Sequence, residues 1–217
     1  MKSKLEMYEI PLFPLNVVLF PGMPLPLHIF EERYKAMVAD CIRDNRPFGV
    51  VLVDGADDGA PARPVAIGCT AEIAQVQPLD QGRMLIMTVG RERFRIVRLE
   101  QSSPYLVGLV EPAPLDTEDE EWEAQGTDAL EPLVIEYLNK LTRIGNVDVE
   151  PHQIPSDPEG LIYLAATLIQ LPTEAKQALL AIDRASDLAR ALRLVYRREL
   201  ALMRTRPGAD IGIFSLN

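Results

Sequence analysis

Cysteine and histidine are scarce. The 217 residues hold two of each, Cys41 and Cys69, His28 and His152, and a single tryptophan, Trp122. No C-x-x-C pairs the thiols, so the chain encodes no disulfide framework, and isolated cysteines of this kind behave as small hydrophobes in a reducing cytoplasm. The histidines lie 124 residues apart, and neither has a second His or Cys at ligand spacing. The sequence also lacks G-x-x-x-x-G-K-[ST], a helix-opening G-x-G-x-x-G, H-E-x-x-H and G-x-S-x-G. These gaps exclude the common phosphate cradles, zinc-protease helices and serine elbows. Asp54-Gly55-Ala56-Asp57-Asp58-Gly59 lacks the ligand spacing and closing Glu of a calcium loop and reads as a solvated hairpin loop. No catalytic, cofactor or metal residue is assigned on these grounds, and the chain reads as non-enzymatic. A Ser-His-Asp site assembled in three dimensions leaves no spacing signature, so a small hydrolase stays a third alternative; labelling of a Ser, Cys41 or Cys69 by activity-based probes would reveal it.

Positive charge is also short. Lys plus Arg number 22 against 32 Asp plus Glu, a net charge of −10, which opposes binding to a phosphate backbone. Ile10 to Phe30 is 21 residues without a formal charge, long enough to span a bilayer. It carries Pro11, Pro14, Pro21, Pro24 and Pro26, each lacking a backbone donor that lipid cannot replace, so it reads as buried strands and turns and no membrane partner is expected. Lys2 and Lys4 are mixed with Glu6 and Glu9, the wrong pattern for a secretory signal. Apolar residues make up 47%, enough for an ordinary globular core.

The first half reads as short strands: Tyr8–Leu12, Val17–Phe20, Leu25–Ile29, Phe48–Val53, an alternating stretch through Ile67, Cys69, Ala71 and Ile73, Arg83–Val89 after the Asp80-Gln81-Gly82 turn, then, with Gly90 as punctuation, an alternating stretch through Phe94 and Ile96, and Tyr105–Val110. One helix interrupts them. Phe30, Tyr34, Met37, Val38, Cys41 and Ile42 share a face at spacings of three, four and seven, and Pro47 bars its continuation. About six strands at short spacing predict a small closed or nearly closed sheet.

From Glu111 to Glu136 there are ten acids and no Lys or Arg. Beyond lies a helical stripe of Leu130, Leu133, Val134, Tyr137, Leu138, Leu141 and Ile144, ended by Gly145-Asn146. A second helix starts at Ser156-Asp157-Pro158-Glu159, through a Ser156/Glu159 capping box or an Asp157 cap with Pro158 in the first turn. Its body, Leu161 to Leu171, is apolar nearly all round and is expected to be central. Thr173 and Ser186 are candidate caps for two more helices, and four helices with short loops predict a bundle. Arg190, Arg193, Arg197 and Arg204 line one face of the last helix as a solvated stripe attracted to the acidic stretch. The halves divide as residues 1–112 and 113–217, an α+β chain.

Particular blocks carry a family resemblance. Ile10-Pro11-Leu12-Phe13-Pro14-Leu15, Val17 to Pro21, and Pro24-Leu25-Pro26-Leu27-His28-Ile29-Phe30-Glu31-Glu32-Arg33-Tyr34 resemble the N-terminal substrate-binding domain of the Lon ATP-dependent proteases. Gly68-Cys69-Thr70-Ala71-Glu72-Ile73, Asp80-Gln81-Gly82 with Gly90 to Ile96, and Leu171-Pro172 to Leu180 resemble later blocks of that family in the same order. The resemblance implies a PUA-like β pseudobarrel followed by a helical bundle. It also implies a recognition role, capture of unfolded or tagged polypeptide or of a protein partner, in the manner of bacterial protein quality control. Lon proteases continue into an ATPase and a Ser-Lys peptidase, and the chain, ending at Asn217, is expected to carry neither.

Phe30, Tyr34, Met84, Met87 and Trp122 are the candidate peptide-binding residues, in a groove between barrel and bundle with main-chain bonds from an open strand edge. Each has plain core packing as its alternative. The second reading is RNA binding, by fold analogy and a local patch of Arg91, Arg93, Arg95 and Arg98. The sequence does not specify the ligand or the oligomeric state.

Overall fold

A computed structural model describes residues 6–54, 63–100, 104–118, 122, 127–143 and 154–205. The strands are β1 (Tyr8–Leu15), β2 (Pro24–Ile29), β3 (Phe48–Asp54), β4 (Arg63–Pro64), β5 (Ile67–Pro78), β6 (Met84–Glu100) and β7 (Leu106–Pro112). The helices are α1 (Glu32–Arg43), α2 (Glu131–Arg143), α3 (Pro158–Leu168), α4 (Thr173–Leu180) and α5 (Ala185–Thr205). Five strands run β1-β7-β6-β5-β3, and a parallel β1–β3 pairing, Leu12 with Gly49 through Leu15 with Leu52, closes them into a ring. Closure leaves no free edge along the paired stretch. The architecture is the α+β pseudobarrel with following helices that the sequence implied.

The ring is small enough that glycines set its bore. Phe94 points inward, fully buried with Leu12, Val51 and Val110. A Cβ at Gly49 or Gly68 would lie 2.6 or 2.7 Å from its Cζ, so an aromatic filling the lumen requires both neighbours to lack side chains. Gly90 has another use. It does not end a strand; β6 passes through it unbroken. Its N–H donates to the Met23 carbonyl at 2.9 Å, and its carbonyl accepts from Gly22 N–H at 2.8 Å. A Cβ there would lie 2.2 Å from the Phe20 carbonyl oxygen. That crossing segment is why Val17–Phe20 forms no strand: Val18, Leu19 and Phe20 are buried, but the chain turns over β6 at Gly90.

Beside the ring, β2 pairs with the first half of β6, and β5 flanks the same half on the other side. One face of this three-stranded arm packs on α1. Leu25, Ile29 and Ile86 join Tyr34, Met37, Val38 and Cys41 in one core cluster, with Leu27, Ile73 and Met84 against it. Glu31 is the residue before α1, so Phe30 stands outside the helix and its side chain is exposed; Ile42 is exposed as well. The 3₁₀ turn at Asp80–Gly82 joins β5 to β6, with Gln81 and Gly82 at φ of 60° and 70°. Lys35 Nζ donates to the Gln81 carbonyl at 3.0 Å and ties α1 to the turn.

The chain forms two compact units, Met1–Leu115 with Gln170–Asp183, and Asp116–Ile169 with Arg184–Asn217. A single cut at 112 therefore misses the return of 170–183 to the barrel unit. That return is held by Gln177 Nε2, which donates to the Ile67 carbonyl at 3.0 Å, and by Asp183, whose carboxylate lies 3.4 Å from both Arg93 and Arg95. So α4 belongs to the barrel unit, and among the described residues the second unit holds α2, α3 and α5. Within that unit α5 carries the main contacts of both α2 and α3, taking the central place expected of the 161–171 helix. Tyr196 on α5 donates to the Ala165 carbonyl at 2.9 Å and packs edge-on to Tyr137 at 5.2 Å. Asp157 caps α3: its carboxylate accepts from Gly160 N–H at 2.6 Å, with Pro158 at the first turn. Pro172, not Thr173, precedes α4, and Thr173 and Ser186 lie within the first turns of α4 and α5. Arg190 pairs with Asp187 and Arg204 with Glu136 of the acidic stretch, each at 3.0 Å. The Asp54–Gly59 loop beyond Asp54, His152 and Gly145-Asn146 lie outside the described residues.

Candidate functional site

The face of the β2–β6–β5 arm turned away from α1 is apolar as well. Residues directly opposite in a ladder share a face. Pro26 stands opposite Met87, His28 opposite Leu85, and Pro24 opposite Val89, while Gln75 and Gln77 of β5 flank Met87 and Leu85. Pro24, Pro26 and His28 are exposed, and Leu85 is 42% exposed. Phe30 follows with its ring 5.6 Å from His28 and is 58% exposed. The face is thus a row of prolines, leucine, methionine and phenylalanine with His28 among them, edged by the amides of Gln75 and Gln77 and, beside Val89, by Glu72. Proline adds contact area without backbone donors, and methionine adapts to irregular surfaces.

Of the residues singled out from sequence, Phe30 and Met87 lie on this face. Met84, opposite Ile29, points the other way and packs against the core. Tyr34 is core: it is 8% exposed, stacks on Phe13 with centroids 4.1 Å apart, and carries the Arg33 guanidinium 4.5 Å over its ring. Burial raises its hydroxyl pKa above the ordinary tyrosine value. Trp122 is half-buried and belongs to the other compact unit. Sequence reasoning missed Pro26 and Leu85. The available signal was the run Met84–Val89, whose only polar residue, Thr88, points inward and donates to the Leu25 carbonyl at 2.9 Å. Both faces of that run are apolar, which marks either double burial or a binding face.

The arginine patch on β6 is neutralised residue by residue. Arg91 meets Glu72 at 2.6 Å, Arg95 meets Asp183 at 3.4 Å and Glu111 at 3.8 Å, and Arg98 pairs with Glu100. Arg93 is buried, its side chain 1% exposed, with Asp183 3.4 Å from Nη2 and no hydrogen-bond partner for Nε or Nη1. Four guanidinium groups so matched leave little local field for a phosphate chain. Both cysteines are buried, and burial pushes the Cys41 thiol up to about 11 and the Cys69 thiol to about 12. At neutral pH both are protonated and poor nucleophiles. Among the described residues no group of three His, Cys, Asp or Glu could hold a metal ion, and no helix is long and apolar enough to cross a membrane.

A second concavity opens at the edge of β5. The strand pairs with β3 only from Cys69 to Ala71, because β3 begins at Phe48 and the preceding Pro47 has no N–H to extend the ladder. Asn45, at φ 47°, turns the chain away. From Glu72 to Pro78 β5 is therefore paired on its β6 side alone among the described residues. The resulting groove of about 700 Å³ is lined by Ile42 and Arg46 on one wall and Ile73 and Val76 on the other, with Cys41 also lining it.

The sequence pattern of the ATP-dependent protease La (LON) substrate-binding domain matches residues 9–196. "Lon protease 2" of Myxococcus xanthus is 30% identical over 195 residues, 87% of this chain and 24% of that protein. "Lon protease" of Anaeromyxobacter dehalogenans is 28% identical over 176 residues, 79% of this chain and 21% of its own length. The chain thus spans about a quarter of the curated relatives it matches. Among solved structures, a Lon N-terminal domain protein from Xanthomonas campestris superposes with a TM-score of 0.59 at 28% identity, covering 89% of this chain and 98% of that one. The N-terminal domain of the Mycobacterium avium complex Lon protease shares the fold, with a TM-score of 0.68 at 18% identity over 88% and 98% of the two chains. The matched pattern takes in the whole strand ring, the arm, and the helices through most of α5, so this chain belongs to the family of Lon substrate-binding domains.

Proposed function

We propose that the protein captures non-native polypeptide on the outer face of the β2–β6 arm, without itself performing chemistry on it. The observation that carries this reading is the apolar row Pro26, Met87, Leu85 and Phe30, left open on a strand pair whose other face already packs on α1. An exposed apolar patch of this kind is unfavourable in water unless it meets apolar side chains. Folded proteins bury such side chains and unfolded ones display them, which makes the face selective for the non-native state. Phe30 and Met87 are the ligand-facing members of the candidate set. Tyr34 and Met84 hold the arm from beneath. The buried, protonated thiols suit a reducing compartment, and the cytoplasm is the location assigned here.

The test uses reduced, carboxymethylated α-lactalbumin and its native form as paired baits. Wild-type protein retains the unfolded bait and not the native one. A Leu85→Asp/Met87→Asp variant, shown folded by circular dichroism, loses that retention. Equal retention of both baits by the wild type, or undiminished retention by the folded variant, overturns the proposal.

A further inference from the structure

The outer face of the arm offers a ligand side chains but little usable main chain. Gly90 N–H donates to the Met23 carbonyl at 2.9 Å, which makes Met23 and Gly90 a hydrogen-bonded pair. Such pairs alternate along an antiparallel ladder. Leu25, Leu27 and Ile29 therefore turn their main-chain groups toward β6, while Pro24, Pro26 and His28 turn theirs to the outer edge of β2. That edge has no strand beside it among the described residues. Two of its three positions are prolines without an N–H, so an incoming strand finds carbonyls there but no donor before His28. From Met84 to Val89 the main chain of β6 is paired with β2 on one side and β5 on the other, and it has nothing left to offer. From this geometry we infer that the outer face holds a captured segment by its apolar side chains alone, without adding it as a strand, and so reads neither the direction nor the handedness of the bound chain.

The inference rests on the capture reading above and adds the class of ligand to it. Size selects the occupant. Pro24 to Phe30 is six residue steps, about 20 Å of extended chain, and two strands make the row about 10 Å wide. That footprint is on the order of 200 Å², against ~800 Å² per partner in a stable protein interface. A second copy of this chain or a folded partner gains too little from it, whereas one segment of about six extended residues covers its length. Charge agrees. The ion pairs at the two ends are closed: Arg91 meets Glu72 at 2.6 Å, and Arg33 beside Phe30 meets Glu31 at 2.8 Å. The amides of Gln75 and Gln77 both donate and accept, so they impose no chain sense. The ligand is therefore a short unfolded segment with two or three uncharged apolar side chains. A β-adding site reads main-chain donors and acceptors as well; this face has lost that half of the recognition.

The test displaces labelled, reduced and carboxymethylated α-lactalbumin from the full chain with unlabelled peptides, read by fluorescence anisotropy. The parent peptide is end-capped, with leucine, phenylalanine and leucine at alternate central positions, serine between them and a lysine at each end. Its all-D form keeps the side chains and reverses the handedness. Two further forms carry N-methyl groups on alternate residues, one on the apolar set and one on the serine set. A last form has serine at all three apolar positions. The parent, the all-D form and both N-methylated forms are expected to displace the bait with midpoints within about fivefold of one another, because one lost main-chain bond already costs about that much. The serine form displaces nothing. A midpoint raised by more than about fivefold in the all-D form or in either N-methylated form overturns the inference, as does displacement by the serine form or failure of the parent to displace; each of these leaves the capture reading standing. Failure of the bait itself to bind removes that reading and the inference with it. Every arm uses wild-type protein, so none depends on the folding of a variant.

Discussion

Phe30→Ser removes the most exposed aromatic ring of the proposed capture face while leaving the core alone. A phenylalanine side chain buries ~150–250 Å² when covered. At 58% exposure, on the order of 100 Å² of Phe30 is free for a ligand, worth ~2.5 kcal/mol at ~25 cal/mol per Å². Ordering of the bound chain and incomplete coverage remove half or more of that, leaving ~1 kcal/mol and a ~5-fold rise in Kd. Leu85→Ser, with less free surface, gives a smaller rise. The conservative change Tyr34→Phe gives none, because that ring lies in the core against Phe13. The assay is fluorescence anisotropy of labelled, reduced and carboxymethylated α-lactalbumin, with thermal unfolding of each variant as the control for folding. Unchanged affinity in a folded Phe30→Ser variant, or an effect of Tyr34→Phe equal to that of Phe30→Ser, would refute the reasoning.

Three stability predictions follow from the barrel unit. Phe94→Ala empties the lumen between Gly49 and Gly68 and costs ~3–5 kcal/mol in urea unfolding; a loss below that of an ordinary surface change means the ring collapses to fill the void. Arg93→Met is neutral or stabilising, because a buried guanidinium with two unpaired nitrogens is replaced by an apolar chain of similar length, whereas Asp183→Ala is destabilising because it strips that guanidinium of its carboxylate; the reverse order in thermal unfolding contradicts this. Asp40 accepts from the Tyr105 hydroxyl at 2.6 Å and from Arg43, and these bonds hold its carboxyl below the ordinary aspartate range. Its stabilising contribution is therefore complete above the unfolded value of about 3.9 and disappears as pH falls through the lower folded value. Wild type is thus more stable than Asp40→Asn at neutral pH, and the gap narrows as pH falls below the unfolded value; a gap that stays constant or widens as the pH is lowered is the opposing result.

The local pattern was legible where one element meets one partner. The period of Tyr34, Met37, Val38 and Cys41 identified the buried face of α1, and the Asp80–Gly82 turn followed from its residues. Phe30 was misplaced because a helical wheel does not apply to a residue before the first turn. Gly90 was taken as punctuation, since a glycine that makes room for a crossing chain looks the same in sequence as one that ends a strand. Helix α4 shows why packing partners are harder than elements: Leu179 and Leu180 state that one side is buried, but not against which unit. For the outer face, the missing alternation in Met84–Val89 was present and unread. For the β5 groove, the signal was Pro47, whose absent donor stops the β3 ladder one residue before Phe48.

The return of residues 170–183 to the barrel unit sets an order of assembly. A ribosome that has released only the first 115 residues has delivered every strand of the ring but not Gln177 or Asp183. Until residue 183 emerges, Arg93 has no carboxylate among its recorded partners and the Ile67 carbonyl lacks its amide donor. The nascent barrel therefore waits on the synthesis of more than fifty residues of the other unit, and a fragment cut at the apparent boundary inherits that unfinished state permanently.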